Sequence, residues 1–175
     1  TVTASLSGTA TISGLLTGDT ATLSGTATAG TFASSNVANG IAVTANLSNL
    51  ALSNSNYAIV GVTTPLSANI TPAPVTITAS SDTKVYGSTT TQANITYVNG
   101  AAVTNSGYSV SGLLGSDVIN NVTLTSAGGL IGSGVNNSPY IITPSAANGS
   151  GGLSNYAVSY VSGTMAITPK PLTVT

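Results

Sequence analysis

The sequence predicts an all-β protein. Residues that favour helices are scarce, because the chain has no Glu and no Arg and only two Lys, whereas Thr, Val, Ile and Tyr are common. Several segments alternate apolar and polar residues, and no segment of useful length shows the 3.6-residue period of an amphipathic helix. A series of residues also recurs further along the chain, which indicates tandem repetition. We therefore expect two tandem small β-domains in an elongated array.

Period-two alternation predicts the individual strands. The clearest segments are residues 75–79, 95–98, 121–125, 156–161 and 165–168. Asn-Gly dipeptides at residues 39–40, 99–100 and 148–149 predict hairpin turns, since both residue types tolerate a positive φ. A single helical turn near residues 14–19 is the most helix we expect. Immunoglobulin-like sandwiches and β-grasp-like sheets both fit these strands, and the sequence leaves the topology open between them.

Matching proline joints mark the two units. Pro72-Ala73-Pro74 returns 97 positions later as Pro169-Lys170-Pro171. Each joint follows a strand that begins with Asn-Tyr-Ala, at Tyr57 in the first unit and at Tyr156 in the second. Proline fixes φ, lacks an N–H and pushes the preceding residue into an extended conformation. We expect stiff, extended connectors between successive units, with an ordinary domain boundary as the alternative.

A second anchor has nearly the same spacing. A Ser-Gly-Leu-Leu segment leads to Asp19 in the first unit, and its counterpart leads to Asp117, 98 positions later. The agreement places the units at residues 1–72 and 73–175. Because both Asp residues occupy equivalent repeat positions, we expect them to form Asx-turns or caps. The chain also opens and closes on Thr-Val-Thr, which favours a piece of a longer tandem array.

Short motifs run in order through the second unit. Lys84-Val85-Tyr86-Gly87 follows an alternating strand and precedes the Ser-Gly-Leu-Leu segment. Asn155-Tyr156 and a closing Ile167-Thr168-Pro169 come after them. Together these motifs, across residues 75–171, resemble the YGX type of MBG repeat.

The first unit carries a different series of motifs. Its members are Leu16-Thr17-Gly18-Asp19, Leu23-Ser24-Gly25, Phe32, Asn36-Val37, Ile41-Ala42-Val43, Leu50 and Asn56-Tyr57. This series resembles a YDG-type repeat, although it lacks the Tyr-Asp-Gly tripeptide near its start. The two resemblances imply an exported bacterial surface protein similar to the filamentous-haemagglutinin-like adhesins. In such proteins these modules usually serve as the stalk.

The composition argues against catalysis and against most ligands. The chain has no His and no Cys, so it lacks the usual general base near neutral pH and any thiolate nucleophile. Its three carboxylates, on Asp19, Asp82 and Asp117, are spread over both units. We expect no enzyme, no cofactor and no metal site, with a weak Ca²⁺ ion at Asp82 or Asp117 as the alternative. The net charge of -1 offers no footprint for nucleic acid, and no apolar run is long enough for membrane insertion.

Tyrosine and lysine are the remaining side chains of interest. Tyr57 and Tyr156 are equivalent in the repeat and Tyr86 belongs to the YGX motif, so we expect these three in the core. The other tyrosines, which are open either to packing or to a glycan-binding surface, are Tyr97, Tyr108, Tyr140 and Tyr160. Lys84 and Lys170 are expected to be solvated.

These observations predict a structural role at the bacterial cell surface or outside the cell. The leading hypothesis is a repeat module of an adhesin stalk or filament, whose partners are adjacent repeats or neighbouring copies of itself. Charge is almost absent, so the usual protection of exposed strand edges is missing, and strand pairing between units belongs to this hypothesis. The alternative is a module that binds surface glycans or a host protein.

Overall fold

The computed structural model describes residues 10–28, 30–61, 65–150 and 153–174. The chain divides into two compact units, Thr1–Thr71 and Pro72–Thr175. The described residues form strands, turns and two short 3₁₀ helices, which confirms the predicted all-β fold. Among them no helix combines the length and hydropathy that crossing a bilayer requires.

The first unit is built from short antiparallel pairs. Its described strands are β1 (Leu23–Ser24), β2 (Ala38–Val43), β3 (Ala51–Leu52) and β4 (Leu66–Ile70). Strand β1 pairs with β3, and β2 pairs with β4. Ile41 and Val43 are its buried apolar residues, and Phe32 forms an isolated bridge to Val43. The described core of this unit is therefore small.

The second unit contains two sheets. Its strands are β5 (Ala73–Ala79), β6 (Asp82–Val85), β7 (Ala101–Thr104), β8 (Tyr108–Ser111), β9 (Ile119–Thr125), β10 (Tyr140–Gly149), β11 (Tyr156–Val161) and β12 (Gly163–Thr168). The larger sheet has the order β6-β12-β10-β9-β7, and the smaller has the order β11-β5-β8. The 3₁₀ helices, Ala127–Gly129 and Val135–Asn137, lie between β9 and β10. Two sheets without an α-helix in the described residues match the sandwich alternative better than the β-grasp one.

Alternation along the strands places one face of each sheet in a shared core. In β5, Val75, Ile77 and Ala79 are buried, whereas Thr76 and Thr78, which alternate with them, are half-buried. Because successive side chains of a strand point to opposite faces, this spacing buries one row and leaves the other towards solvent. The core of the unit consists of Val75, Ile77, Ala79, Ile95, Tyr97, Ala102, Val122, Leu124, Ile142, Tyr156 and Met165.

The first two strands and the last two strands of the second unit both cross from the smaller sheet to the larger one. Strand β5 continues through Ser80 and Ser81 into β6, and so passes from the smaller sheet to the larger one. Strand β11 continues through Ser162 into β12 in the same way. Strand β11 runs parallel to β5, and β12 runs parallel to β6. The two crossings therefore lie side by side, and we call residues 73–85 and 156–168 together the double arch.

The contact between the two crossings is tight. A Cβ atom on Gly163 would lie 2.6 Å from the carbonyl oxygens of both Ala79 and Ser80. The Oγ of Ser81 accepts a hydrogen bond from the backbone N–H of Thr164 at 3.1 Å. The second arch can approach the first so closely only because residue 163 has no side chain.

Local turn chemistry explains where the strand and turn predictions succeed and fail. The strands expected at residues 75–79, 121–125, 156–161 and 165–168 are present, but residues 95–98 form only isolated bridges. Asn99-Gly100 is a hairpin turn, with positive φ at both residues and reciprocal hydrogen bonds between Val98 and Ala101. The hairpins predicted at residues 39–40 and 148–149 are wrong. Both dipeptides lie inside strands at register shifts, where Asn-Gly accommodates a bulge.

Candidate functional site

One hydrogen-bonded cluster in the second unit joins distant parts of the chain. The hydroxyl of Tyr156, at the start of β11, donates to the Oδ2 atom of Asp117 at 2.6 Å. The same hydroxyl accepts the backbone N–H of Leu114 at 3.1 Å. Asp117 and Leu114 belong to the loop after β8, and the N–H of Asp117 closes a turn on the Leu114 carbonyl. We call this arrangement of a tyrosine, an aspartate and a leucine amide the Asp–Tyr clasp.

The first unit contains the same clasp. The hydroxyl of Tyr57 donates to the Oδ2 atom of Asp19 at 2.6 Å and accepts the N–H of Leu16 at 3.1 Å. The N–H of Asp19 closes the corresponding turn on the Leu16 carbonyl. Every atom of the second clasp therefore has an equivalent in the first.

Glycines allow the loop of the clasp to turn. Gly14 and Gly112 occupy equivalent positions, and both have φ of 94°. This left-handed region is disfavoured for residues that carry a Cβ atom. At Gly112 a Cβ atom would also meet the carbonyl oxygen of Pro74 in β5. The glycine of the Ser-Gly-Leu-Leu segment thus suits the backbone conformation in both units, and at Gly112 it also allows the close approach to β5.

The hydrogen bonds of the clasp keep the Tyr156 hydroxyl protonated, as expected for a structural contact. The hydrogen bond to Asp117 is the largest effect on the pKa of Tyr156 and raises it, whereas the hydrogen bond from Leu114 lowers it. The donated proton therefore stays on the tyrosine oxygen at neutral pH. Within residues 10–28, 30–61, 65–150 and 153–174, no three His, Cys, Asp or Glu side chains gather where they could hold a metal ion. Asp82, the third carboxylate, accepts backbone N–H groups from Thr83 and Ala93.

Sequence reasoning located the members of the clasp but not their pairing. It assigned Asp19 and Asp117 to Asx-turns or caps, and it assigned Tyr57 and Tyr156 to the cores. Tyr156 is indeed buried and Tyr57 is half-buried. The repeat offset, 98 residues for the Asp and 99 for the Tyr, marks both positions as equivalent between the units but does not indicate that the two side chains touch.

Removal of the clasp hydroxyl should weaken the second unit. We expect Tyr156→Phe to lower the free energy of unfolding by about 1–2 kcal/mol, since the Asp117 carboxylate and the Leu114 amide both lose a partner. Urea titration followed by circular dichroism measures this change. Tyr86→Phe is the matched control, because Tyr86 is exposed. Equal urea midpoints of unfolding for Tyr156→Phe and Tyr86→Phe would show that the clasp does not stabilise the unit.

The Lys-Val-Tyr-Gly motif forms the turn that ends β6. The N–H of Ser88 bonds to the Val85 carbonyl at 3.0 Å, and Gly87 in this turn has φ of 82°. The N–H of Tyr86 bonds to the Thr168 carbonyl at 2.9 Å and so extends the pairing of β6 with β12. Lys84 points inward, where its Nζ atom donates to the Ser88 carbonyl. The motif therefore ends the edge strand of the larger sheet in a turn.

Two predictions within this motif are wrong. Lys84 is 3 % exposed and not solvated, and its Nζ atom donates to the carbonyls of Ser88 at 3.0 Å and Leu130 at 2.6 Å. Two backbone carbonyls replace part of its hydration, while desolvation lowers its pKa. Tyr86 is 45 % exposed and not in the core, because the turn directs it away from the sheet. Lys170 is exposed, as expected.

The remaining tyrosines divide between packing and exposure. Tyr97 is buried, and the hydroxyls of Tyr108 and Tyr140 donate to backbone carbonyls of Ile119 and Gly134. Tyr160 is 41 % exposed, and its hydroxyl accepts the N–H of Ala147. An aromatic surface on the second unit would therefore rest on Tyr86 and Tyr160.

Tyr97 makes the second unit sensitive to alkaline pH. Desolvation, with a contribution from the negative charge of Asp82, raises its pKa from 10.0 to about 12. A group whose pKa is higher in the folded state stabilises the fold below the unfolded pKa and loses that contribution as the pH rises. We therefore expect about 2 kcal/mol of stability to disappear between pH 10 and pH 12. Urea midpoints measured across this range should fall less in Tyr97→Phe than in the wild type; parallel curves would contradict the assignment.

The proline joints differ in their surroundings. Pro72 lies in the two-residue step between β4 and β5, and Pro74 lies inside β5, opposite Ala157 of β11. Pro169 and Pro171 follow β12 and are exposed. The first joint is thus partly a strand of the second unit. The expected stiffness of the connectors stays a prediction.

The fold and the repeated clasp together define a class of protein. In the described residues both units are built from β-strands and carry the same Asp–Tyr clasp, so the chain is an all-β protein with an internally repeated structural feature. The family described as the MBG domain (YGX type) matches residues 75–166, and the chain belongs to this family. MBG domains are repeat modules of adhesin-like, surface-associated proteins and not an enzyme family. No curated protein and no solved structure matches the chain.

Proposed function

We propose that the chain is a structural repeat module of a stalk or filament in an extracellular or cell-surface bacterial adhesin. Family membership of the second unit supports this role. The clasp in the first unit supports a repeat relationship between the units, with the first as a YDG-type repeat. The partners in this proposal are adjacent repeats and neighbouring copies of the chain.

The double arch is the observation that carries the proposal. The chain enters the second unit at β5 and leaves it after β12, and these strands take part in two parallel pairings, β5 with β11 and β6 with β12. Tension along the chain pulls β5 and β6 one way and β11 and β12 the other. Parallel strands under such tension must slide past one another, so the load is shared by all hydrogen bonds of a ladder. Strands that are pulled apart from one end, in contrast, break their hydrogen bonds one after another and so resist less force.

The pairings involved in this resistance are extensive. The β5–β11 ladder has six residue pairs and the β6–β12 ladder has four. Ser159 of β11 adds a side-chain tie, because its hydroxyl donates to the Val75 carbonyl and lies 3.1 Å from the Thr76 hydroxyl. The first unit, in contrast, has short antiparallel strands in its described part. A stalk module is expected to resist tension, and the second unit has the geometry for it.

Single-molecule pulling on the whole chain, attached through its two ends, tests the proposal. We expect the second unit to rupture at the higher force, with a contour-length gain of roughly 300 Å for residues 73–168. Ser159→Ala should lower this force, whereas Ser109→Ala in β8 is the matched control outside the parallel ladders. Rupture of the second unit at forces no higher than those of the first would argue against a load-bearing module.

A glycan- or host-protein-binding module is the second candidate. Its support is a surface groove whose lining includes the buried Tyr97 and the exposed apolar residues Val98, Leu130 and Ile131. Exposed apolar residues around a concave surface are typical of interaction sites. A glycan array with the wild type and with Tyr86→Ser and Leu130→Ser variants tests this candidate. Binding that Leu130→Ser removes would favour it, and absence of binding to any glycan would leave host protein as the ligand class.

A further inference from the structure

The larger sheet of the second unit has edges that the chain itself covers in part. Along its edge strand β6, the carbonyl of Thr83 accepts the backbone N–H of Gln92, and the charged Lys84 points inward. Along β7, at the other edge, Ala101 exchanges two backbone hydrogen bonds with Val98 of the preceding turn. Covering segments and inward-pointing charges are two of the ways in which proteins prevent further strands from adding to a sheet.

The smaller sheet, in the order β11-β5-β8, lacks this protection along β8. The carbonyl of Gly107, just before β8, accepts the N–H of Ser80, just after β5. Because backbone groups alternate between the two sides of a strand, every second residue from Gly107 onwards faces β5. Tyr108 and Val110 consequently direct their N–H and carbonyl groups away from the sheet. In the part of the chain that the structure describes, no hydrogen bond reaches these outward groups.

Strand β11 leaves its outer edge open in the same manner. The carbonyl of Asn155 accepts the N–H of Ala73, so the backbone groups of Val158 and Tyr160 point away from β5. Among the described strands, β11 pairs with β5 alone. Neither edge lies at an end of the chain, and neither β8 nor β11 contains a charged residue or a proline. Both edges of the smaller sheet are therefore open to another strand.

The core side chains at these two edges are incompletely covered. Tyr108 and Val110 of β8 and Val158 of β11 pack against the core but are only half-buried. Tyr160 of β11 is 41 % exposed. A strand added beside either edge would remove apolar surface of these residues from water and would supply partners for the outward backbone groups.

We propose that β8 of one copy pairs with β11 of a second copy. This inference rests on the proposed structural function and specifies how copies of the chain associate. Strand β8 runs antiparallel to β5, whereas β11 runs parallel to it, so two copies in the same orientation form an antiparallel pair. Each copy offers one β8 edge and one β11 edge. Such heterologous contacts do not close on themselves, and the smaller sheet continues from copy to copy as a fibre.

The outward backbone groups determine the register of this pairing. Outward-facing residues of one edge must lie opposite those of the other. The overlap of the two strands is greatest with Val110 opposite Val158 of the second copy and Tyr108 opposite Tyr160 of the second copy. This register brings valine against valine and tyrosine against tyrosine on the core side. Cross-strand pairs of aromatic and of β-branched residues stabilise a sheet, and no like charges oppose one another.

Disulfide trapping tests the register, since the chain has no native cysteine. The register places the exposed Ser111 opposite the exposed Ala157 of the second copy, in a non-hydrogen-bonded pair whose short Cα separation suits a disulfide. Full-length Ser111→Cys and Ala157→Cys proteins are mixed under mild oxidation, and the heterodimer is quantified by mass spectrometry. We expect several-fold more heterodimer than from Ser109→Cys mixed with Ala157→Cys.

Ser109 is the matched control position, because it is also exposed and lies on the same face of β8, two residues out of register. Random collision would give equal heterodimer yields for the two mixtures, and that result would overturn the proposal. A Ser109→Cys homodimer as the main product would also overturn it, because it would show that β8 pairs with β8 in a closed dimer.

A second measurement addresses head-to-tail assembly. Proline lacks an N–H, so Val110→Pro blocks the β8 edge and Val158→Pro blocks the β11 edge, whereas the N–H groups that face β5 stay in place. In light scattering we expect multimers from the wild type, monomers from each variant alone and dimers from an equal mixture of the two. Circular dichroism establishes that each variant is folded, and the trapping experiment does not depend on these variants.

A monomeric wild type, or a dimer formed by one variant alone, would contradict this mode of assembly. The pulling experiment on a single chain separates this failure from that of the proposed function. If the second unit still ruptures at the higher force, the stalk function survives and only strand pairing between copies is refuted.

Discussion

Replacement of Gly163 with alanine is expected to destabilise the second unit by about 3 kcal/mol. The added Cβ atom would lie 2.6 Å from two backbone carbonyl oxygens, those of Ala79 and Ser80. Backbone atoms cannot rotate away as a side chain can, so the two crossings of the double arch must separate. That separation stretches both parallel ladders, which meet at this point. The expected loss exceeds that of a usual surface substitution because one methyl group disturbs two sheets.

Urea unfolding of the whole chain, followed by circular dichroism, measures this effect. Gly132→Ala is the matched control, because a Cβ atom there meets no other atom within 4 Å. We expect the control to change the midpoint little and Gly163→Ala to lower it for the transition of the second unit alone. If Gly163→Ala unfolded like the control, the close contact of the two crossings would not be a constraint on the fold.

Replacement of Lys84 with methionine should cost a similar amount, about 3 kcal/mol. Methionine keeps most of the buried aliphatic volume but removes the ammonium group that binds the carbonyls of Ser88 and Leu130. Both carbonyls would then lack this donor beside a buried side chain. The turn after β6 and the loop at the first 3₁₀ helix would also lose the group that holds them together.

Lys170→Met is the control for charge, since Lys170 is exposed. The pH dependence offers an independent check. Desolvation lowers the pKa of Lys84 in the folded state below 10.5, so the unfolded chain binds more protons between the two pKa values. This group alone therefore makes the fold more stable as the pH rises towards 10.5, and Lys84→Met should lack that increase. A variant as stable as the wild type would show that the two carbonyls find other partners.

The sequence was most informative where repetition and alternation coincide. The buried row of β5 and the tandem offset could both be predicted, because strand period and repeat spacing are properties of the sequence alone. The positions of Asp117 and Tyr156 could be predicted as structural for the same reason. Their mutual hydrogen bond could not, since the repeat offset says that two positions are equivalent and not that they touch.

Other features depended on tertiary context. Lys84 is charged, so composition alone places it in solvent, and only the fold brings two carbonyls to its ammonium group. The dipeptides at residues 39–40 and 148–149 have the chemistry of hairpin turns, yet long-range pairing on both sides makes them bulges. The parallel pairing of β5 with β11 and of β6 with β12 has no local signature, because no short segment specifies a partner far along the chain.

The pairing of β6 has a consequence for the order in which the second unit can fold. Among the strands that the structure describes, β6 pairs with β12 alone, and Thr83 is 83 residues away from its partner Ala166. A chain that emerges N-terminus first cannot complete this sheet until nearly the whole unit is available. High contact order of this kind makes folding slow. A module built in this way closes its larger sheet only after its last strand has become available.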